Sequence, residues 1–206
     1  MLKILGRNNS SNVQKVMWCI GELGLKHERT DIGGPFGGNK DAKYLALNPM
    51  GLVPTMDDDG FVLWESNSIV RYLAAKHGMG TLCPADPKVR ASAERWMDWQ
   101  LSAMGPAITP VFLGLIRTPP DKRDPAAIEA GRKRAAELFG MLDAHLTGRK
   151  FVAGDSLTIG DIPLGIMAYR WFNFPIERPE HKYARAWYER LAQRPAFKQH
   201  VMLPIT

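Results

Sequence analysis

The chain has 206 residues, 45% hydrophobic and 23% charged, a balance that fits a folded globular protein and excludes wholesale disorder or a fibrous repeat. Its 27 Lys and Arg against 21 Asp and Glu leave a formal charge of +6, yet the basic residues are scattered rather than gathered in a stripe with interleaved aromatics, which argues against a nucleic-acid partner. No apolar run approaches the ~20 residues that span a bilayer, no leader pattern opens the chain, and Cys19 and Cys83 lack C-x-x-C spacing, so the expectation is a cytoplasmic protein of two small domains.

In chain order, Leu2-Lys3-Ile4-Leu5 reads as a short strand. Val13, Val16, Met17, Ile20 and Leu23 then recur at helical spacing until Gly24 stops them. Cys19 falls on that apolar face as a core thiol. His27 to Ile32 is polar but tolerates a strand, and dissolves into the glycine-rich stretch 33–38. Asp41 to Leu47 fits a short helix that must end before Asn48-Pro49. Val53 to Met56, the turn 57–60 and Phe61 to Leu63 form an antiparallel hairpin, and Ile69, Val70 and Leu73 mark a helix running to about His77.

The order is β-α-β-α-β-β-α, expected to fill residues 1–79, with 80–87 as a linker carrying Gly80, Pro84 and Pro87. Residues 88–206 read as an all-α bundle with helices near 89–116, 125–146, 159–172 and 181–192. Asp124-Pro125 starts the second of these as cap and first-turn proline. Leu157-Thr158-Ile159-Gly160-Asp161-Ile162 reads as a capping box and hydrophobic staple opening the third, with Thr158 as the cap and Pro163 just past the first turn.

Three segments could carry chemistry. Ser10-Ser11-Asn12, where the first strand becomes the first helix, holds a Ser11/Gln14 capping box that needs no ligand. The same helix start also offers free N–H groups and a positive dipole end to an anion. Val53-Pro54 follows Asn48-Pro49; a cis bond there would turn the Val53 N–H and C=O outward toward a peptide-like ligand, and the plain alternative is a loop with two prolines. In Glu65-Ser66-Asn67, Ser66 or Asn67 can simply cap the next helix; alternatively Glu65 and Ser66 hold an amino-acid head group, the acid taking the ammonium and the helix N–H groups the carboxylate. Trp96, Trp99, Met104, Phe112, Trp171 and Phe172 have core character, and the five isolated histidines give no metal-ligand spacing, so no metal site is expected.

Taken together, Asn48-Pro49 with Val53-Pro54, Glu65-Ser66 with Ile69, and Thr158 with Asp161 resemble the glutathione S-transferase superfamily over nearly the whole chain. The resemblance implies a thioredoxin-like domain followed by a helical domain, with glutathione as co-substrate. Val53 and the family's cis-proline, Pro54, then meet the cysteinyl unit, Glu65 and Ser66 clamp the γ-glutamyl group, and Asn39 and Lys40 meet the glycyl carboxylate. Leu52 stands where many relatives carry a lysine.

Ser11 followed by Lys15 is similar to the theta and delta serine pattern, whereas Ser10 and Asn12 resemble the Thr-x-Asn pattern of the nu class. Ser11 is the expected thiol-activating residue, with Asn12 second and Ser10 beside them. The resemblance further implies a detoxifying homodimer that adds the glutathione thiolate to a small hydrophobic electrophile held near Met104, Pro106, Phe112 and Trp171, with no nucleic-acid or membrane partner. The competing expectations are a glutathione-dependent peroxidase or disulfide reductase of the same fold, or a non-catalytic ligand-binding module.

Overall fold

The computed structural model describes residues 1–206. Strands β1 (Leu2–Leu5), β2 (His27–Thr30), β3 (Thr55–Asp58) and β4 (Phe61–Trp64) form one mixed sheet in the order β2-β1-β3-β4. β1 runs parallel to β2, which requires the crossover supplied by α1 (Ser11–Leu23), and antiparallel to β3 with Leu5 opposite Thr55. The β3–β4 turn is Asp59-Gly60, with φ of 52° and 95°, the handedness that matches strand twist. β2 ends two residues before the expected Ile32, because Gly33 at φ 82° turns the chain aside. The short α2 (Ala42–Leu45) precedes β3, and α3 (Ser66–His77) completes this half.

Every residue of α1 from Val13 to Ile20 is buried, because α3 packs on one side and the later helices α7 (Asp161–Asn173) and α9 (Pro195–His200) on the other. Trp18 meets the Phe197 ring edge-on at 4.7 Å, and a Cβ added to Gly165 of α7 would lie 2.7 Å from the Trp18 ring, so only glycine permits the approach. Glu22 accepts from Arg194 at 2.7 and 2.6 Å, joining α1 to the residue that precedes α9. Burial pushes the Cys19 thiol pKa far up, as suits a core residue.

The helical half opens with one continuous helix, Pro87–Arg117, made of α4 (Pro87–Trp99), a π-helical turn at Gln100–Met104, α5 (Gly105–Phe112) and a second π turn at Leu113–Arg117. By length and composition this helix could cross a membrane, a feature the sequence reading did not find; Ala93, Met97, Met104, Ile108 and Val111 bury its inner face in the protein. α6 (Pro125–Leu146) begins as expected, with Asp124 accepting from the Ala127 N–H at 3.0 Å. α8 (Lys182–Ala192) follows α7, and the short α9 was absent from the sequence reading because six residues carry no readable period.

The start of α7 differs in detail from the expected box. Gly160, not Thr158, is the cap residue, and Asp161 is the acceptor for the whole turn. Its carboxylate takes bonds from Val152 N at 3.0 Å, Thr158 N at 2.9 Å, Thr158 Oγ1 at 3.2 Å and Trp187 Nε1 at 2.9 Å. Burial nevertheless raises its pKa to about 6. Pro163 lies inside the first turn, where its missing N–H forfeits no helical bond.

Candidate active site

Ser10 occupies the cap position of α1 in extended conformation, but its side chain makes no capping bond. Ser11 is the first helical residue, and Gln14 reaches the Ser10 carbonyl through its backbone at 2.8 Å. The expected Ser11/Gln14 capping box is therefore not formed, because Ser11 lies one position too far along. Its hydroxyl makes no hydrogen bond within the chain and faces a cavity of about 440 Å³, next to the unpaired amides and positive end of α1. Ser10 is buried and does not line that cavity. Asn12 does line it, and its Oδ1 accepts from Ser66 Oγ at 3.4 Å.

One turn along α1, Lys15 is completely buried. Its ammonium donates to Gln100 Oε1 at 2.8 Å and to Ser66 Oγ at 3.5 Å, tying α1, the start of α3 and the first π turn together. Burial drags its pKa down to about 7; Glu65 opposes that fall and Arg170 adds to it. Gln100, itself buried, sits at the π turn, where the widened helix presents its amide to Lys15. Sequence reading missed Gln100 and Arg170, which lie in amphipathic helices with no local motif around them.

The segment before β3 is braced by side chains from α2 and the residues that follow it. Tyr44 OH donates to the Leu52 carbonyl at 2.6 Å, and Asn48 Nδ2 reaches the same oxygen at 2.8 Å and Thr55 Oγ1 at 3.1 Å. The Val53-Pro54 bond is cis, and neither the Val53 N–H nor its C=O takes part in any hydrogen bond of the chain. Asn39 donates to the Gly51 carbonyl at 2.8 Å and Lys40 to the Met50 carbonyl at 3.5 Å, so both flank this loop. Leu52 is exposed and contributes its backbone alone to the network.

Glu65, not Ser66 or Asn67, is the cap residue of α3, and it holds φ at +71°, a left-handed value that costs a side-chain-bearing residue of order 1–3 kcal/mol. The kink leaves the Glu65 carboxylate exposed and frees the Ser66 hydroxyl to meet Asn12 and Lys15. Asn67 instead donates to the Met97 carbonyl at 3.0 Å, fixing α3 against α4.

Among the residues expected to form an acceptor pocket, Pro106 lines the cavity. Met104 and Trp171 are fully buried in the core, because the period of their helices turns them inward. Phe112 is half-buried and sits 4.2 Å below the Arg170 guanidinium, so it acts on the cavity through that arginine. Arg170 is itself buried, and desolvation, then Arg117 and Arg7, pull its pKa down to about 10. No trio of metal-binding side chains occurs anywhere in the structure.

Against this geometry stand the comparisons with known proteins. Residues 9–76 match the family model described as the N-terminal domain of glutathione S-transferase, and residues 103–195 match that of its C-terminal domain. The chain is 44% identical to glutathione S-transferase GstB of Escherichia coli over the full length of both, and 32% identical to glutathione S-transferase 3 of Zea mays over 97% of this chain and 93% of that one. Its fold superimposes with a TM-score of 0.96 on the theta class glutathione S-transferase of Xanthomonas axonopodis pv. citri with glutathione bound, at 46% identity over 100% of this chain and 99% of that one.

Proposed function

The chain belongs to the glutathione S-transferase family, and from that premise we propose that it binds glutathione with the sulfur against the Ser11 hydroxyl and transfers the thiolate to a second substrate in the adjoining cavity. The observation that carries this reading is the free Ser11 hydroxyl at the α1 terminus, opening on the cavity one helical turn from the buried Lys15 ammonium. The open N–H and C=O of Val53 suit the cysteinyl unit, which pairs as an added strand would. Glu65 and Ser66 suit the γ-glutamyl head group, and Asn39 and Lys40 the glycyl carboxylate.

A free thiol has a pKa of about 8.5, and each unit of depression requires about 1.4 kcal/mol of preference for the anion. A charge-assisted hydrogen bond from Ser11 supplies about 1.5–3 kcal/mol and the end of α1 up to about 1 kcal/mol. Together they lower the thiol by about 1–3 units, to about neutral pH or below. The thiol proton leaves to solvent, the sulfur forms a bond to the electrophilic carbon, and the leaving group departs with the bonding pair. Ser11 donates throughout and does not act as a base.

The division into a glutathione-binding unit at 1–79 and a helical unit at 88–206 fits this scheme, since α1 and the Val53 loop lie in the first and Gln100, Pro106 and Arg170 in the second. A homodimer in the cytoplasm completes the reading: Met50, Leu52 and Phe61 leave apolar side chains exposed for a second copy to cover, and both cysteines are free. Titration with glutathione tests the proposal. Saturable binding at or below millimolar concentration, with growth of thiolate absorbance at neutral pH, is the expected result; no binding at that level contradicts it.

A further inference from the structure

The cavity beside Ser11 is lined by two buried cations, Lys15 and Arg170, and by no acidic side chain. Burying a charge without an opposite charge is expensive, and proteins normally pair it. The Lys15 ammonium donates only to the neutral oxygens of Gln100 and Ser66, and the opposite charge that acts on it, Glu65, is exposed. The Arg170 guanidinium makes no ion pair and donates no hydrogen bond within the chain; an aromatic face, the Phe112 ring at 4.2 Å, is its support. Its charged neighbours make matters worse: Arg117 lies 5.2 Å from the same ring, and both Arg117 and Arg7 repel it. Arg117 donates to the Thr206 carbonyl oxygen at 2.6 Å, whereas the Arg170 guanidinium, on the cavity wall, is committed to no acceptor.

We infer that the second substrate is an anion, an electrophile carrying a carboxylate, and that Arg170 is the residue that recognises it. This replaces the expectation of a small hydrophobic electrophile, and it rests on the glutathione reading given above. With the sulfur at Ser11, Lys15 lies one helical turn behind it and serves the thiolate; Arg170 reaches the cavity from α7, on the far domain, with its planar fork free for a carboxylate. Pro106, Ile108 and Pro110 supply the apolar wall against which the rest of the electrophile packs.

The test is a binding experiment on the whole protein saturated with S-methylglutathione, which fills the sulfur position without reacting. Calorimetric titration with 3-nitrobenzoate and with its neutral match 3-nitrobenzamide should show the carboxylate binding tighter by about tenfold or more, the scale of one charge-assisted hydrogen bond. Arg170→Gln should bring the two affinities within about twofold of each other, while Arg170→Lys, which keeps the charge, retains most of the preference. Retained S-methylglutathione binding shows that each variant folds. A merely structural arginine would weaken both probes together and leave their ratio alone. Equal affinities in the unaltered protein, a preference that survives Arg170→Gln, or binding of neither probe overturns the inference while leaving the glutathione reading intact. Failure of S-methylglutathione to bind the unaltered protein would instead sink that parent reading, and this one with it.

Discussion

Replacing Lys15 by methionine should make the protein more stable and less active. The ammonium is fully buried and its pKa falls from 10.5 to about 7, a drop of 10.5 − 7 = 3.5 units. At about 1.4 kcal/mol per unit, the charged form destabilises the fold by about 5 kcal/mol below pH 7. Methionine removes that cost but orphans the buried Gln100 Oε1, which now accepts from Lys15 at 2.8 Å, a loss of about 1–3 kcal/mol. The net gain is about 2–4 kcal/mol below pH 7.

The sign with pH follows from proton counts. Between about pH 7 and 10.5 the unfolded chain still holds the Lys15 proton while the folded chain has released it, so the unaltered protein gains stability as pH rises. The advantage of Lys15→Met should therefore shrink by about 1.4 kcal/mol for each pH unit above 7 and change sign between about pH 8.5 and 10. Urea unfolding followed by tryptophan fluorescence at fixed protein concentration, over about pH 6 to 9.5, measures it. A gap that stays constant across that range would refute the reasoning, since it would mean that Lys15 keeps the same proton in both states.

Glu65→Gly relieves the backbone at φ +71° while deleting a carboxylate proposed to bind substrate; the unfolding free energy should hold or rise by up to about 1 kcal/mol while glutathione affinity falls by about tenfold, as denaturant titration and calorimetry would read. Asp161→Ala leaves the Trp187 indole N–H and the backbone N–H groups of Val152 and Thr158 without their acceptor, so denaturant titration should show a loss of at least about 3 kcal/mol.

Much of the fold could be read from the sequence because it depends on local rules. The 3.6-residue period of Val13, Val16 and Ile20, the turn expected over 57–60 and found at Asp59-Gly60, and the Asp124-Pro125 start each declare their element within a few residues. The three segments around Ser11, Val53 and Glu65 were legible as candidates for the same reason. Their hydrogen bonding was not. Both expected serine caps failed: at α1 the cap position belongs to Ser10, and at α3 it belongs to Glu65, which leaves the Ser11 and Ser66 hydroxyls free for other partners. Local capping preference lost there to the tertiary partners of the two helix starts, and under the proposed function such departures fall where a site would need them.

What lay wholly beyond the sequence is the charge in the cavity. Lys15 sits among polar and apolar neighbours as any helix lysine does, and only the packing of α3 and the π turn around it reveals that it is buried. Arg170 is more than 150 residues away in sequence and comes to the same wall only because α7 packs on α1. Met104 and Trp171 went to the core because aromatic and sulfur-bearing residues on a helix do not declare which neighbour they face.

The central claim is that the Ser11 hydroxyl holds the glutathione sulfur as its anion. Spectroscopic titration of bound glutathione against pH, in the unaltered protein and in Ser11→Ala, tests it most directly. The account predicts a thiol pKa below 7 in the unaltered protein that rises by about 1–2 units in the variant, with glutathione affinity at about pH 5, where the bound thiol is protonated in both, changed less than about threefold. An unshifted pKa in Ser11→Ala, or the same rise produced by Asn12→Ala with Ser11 intact, would contradict it.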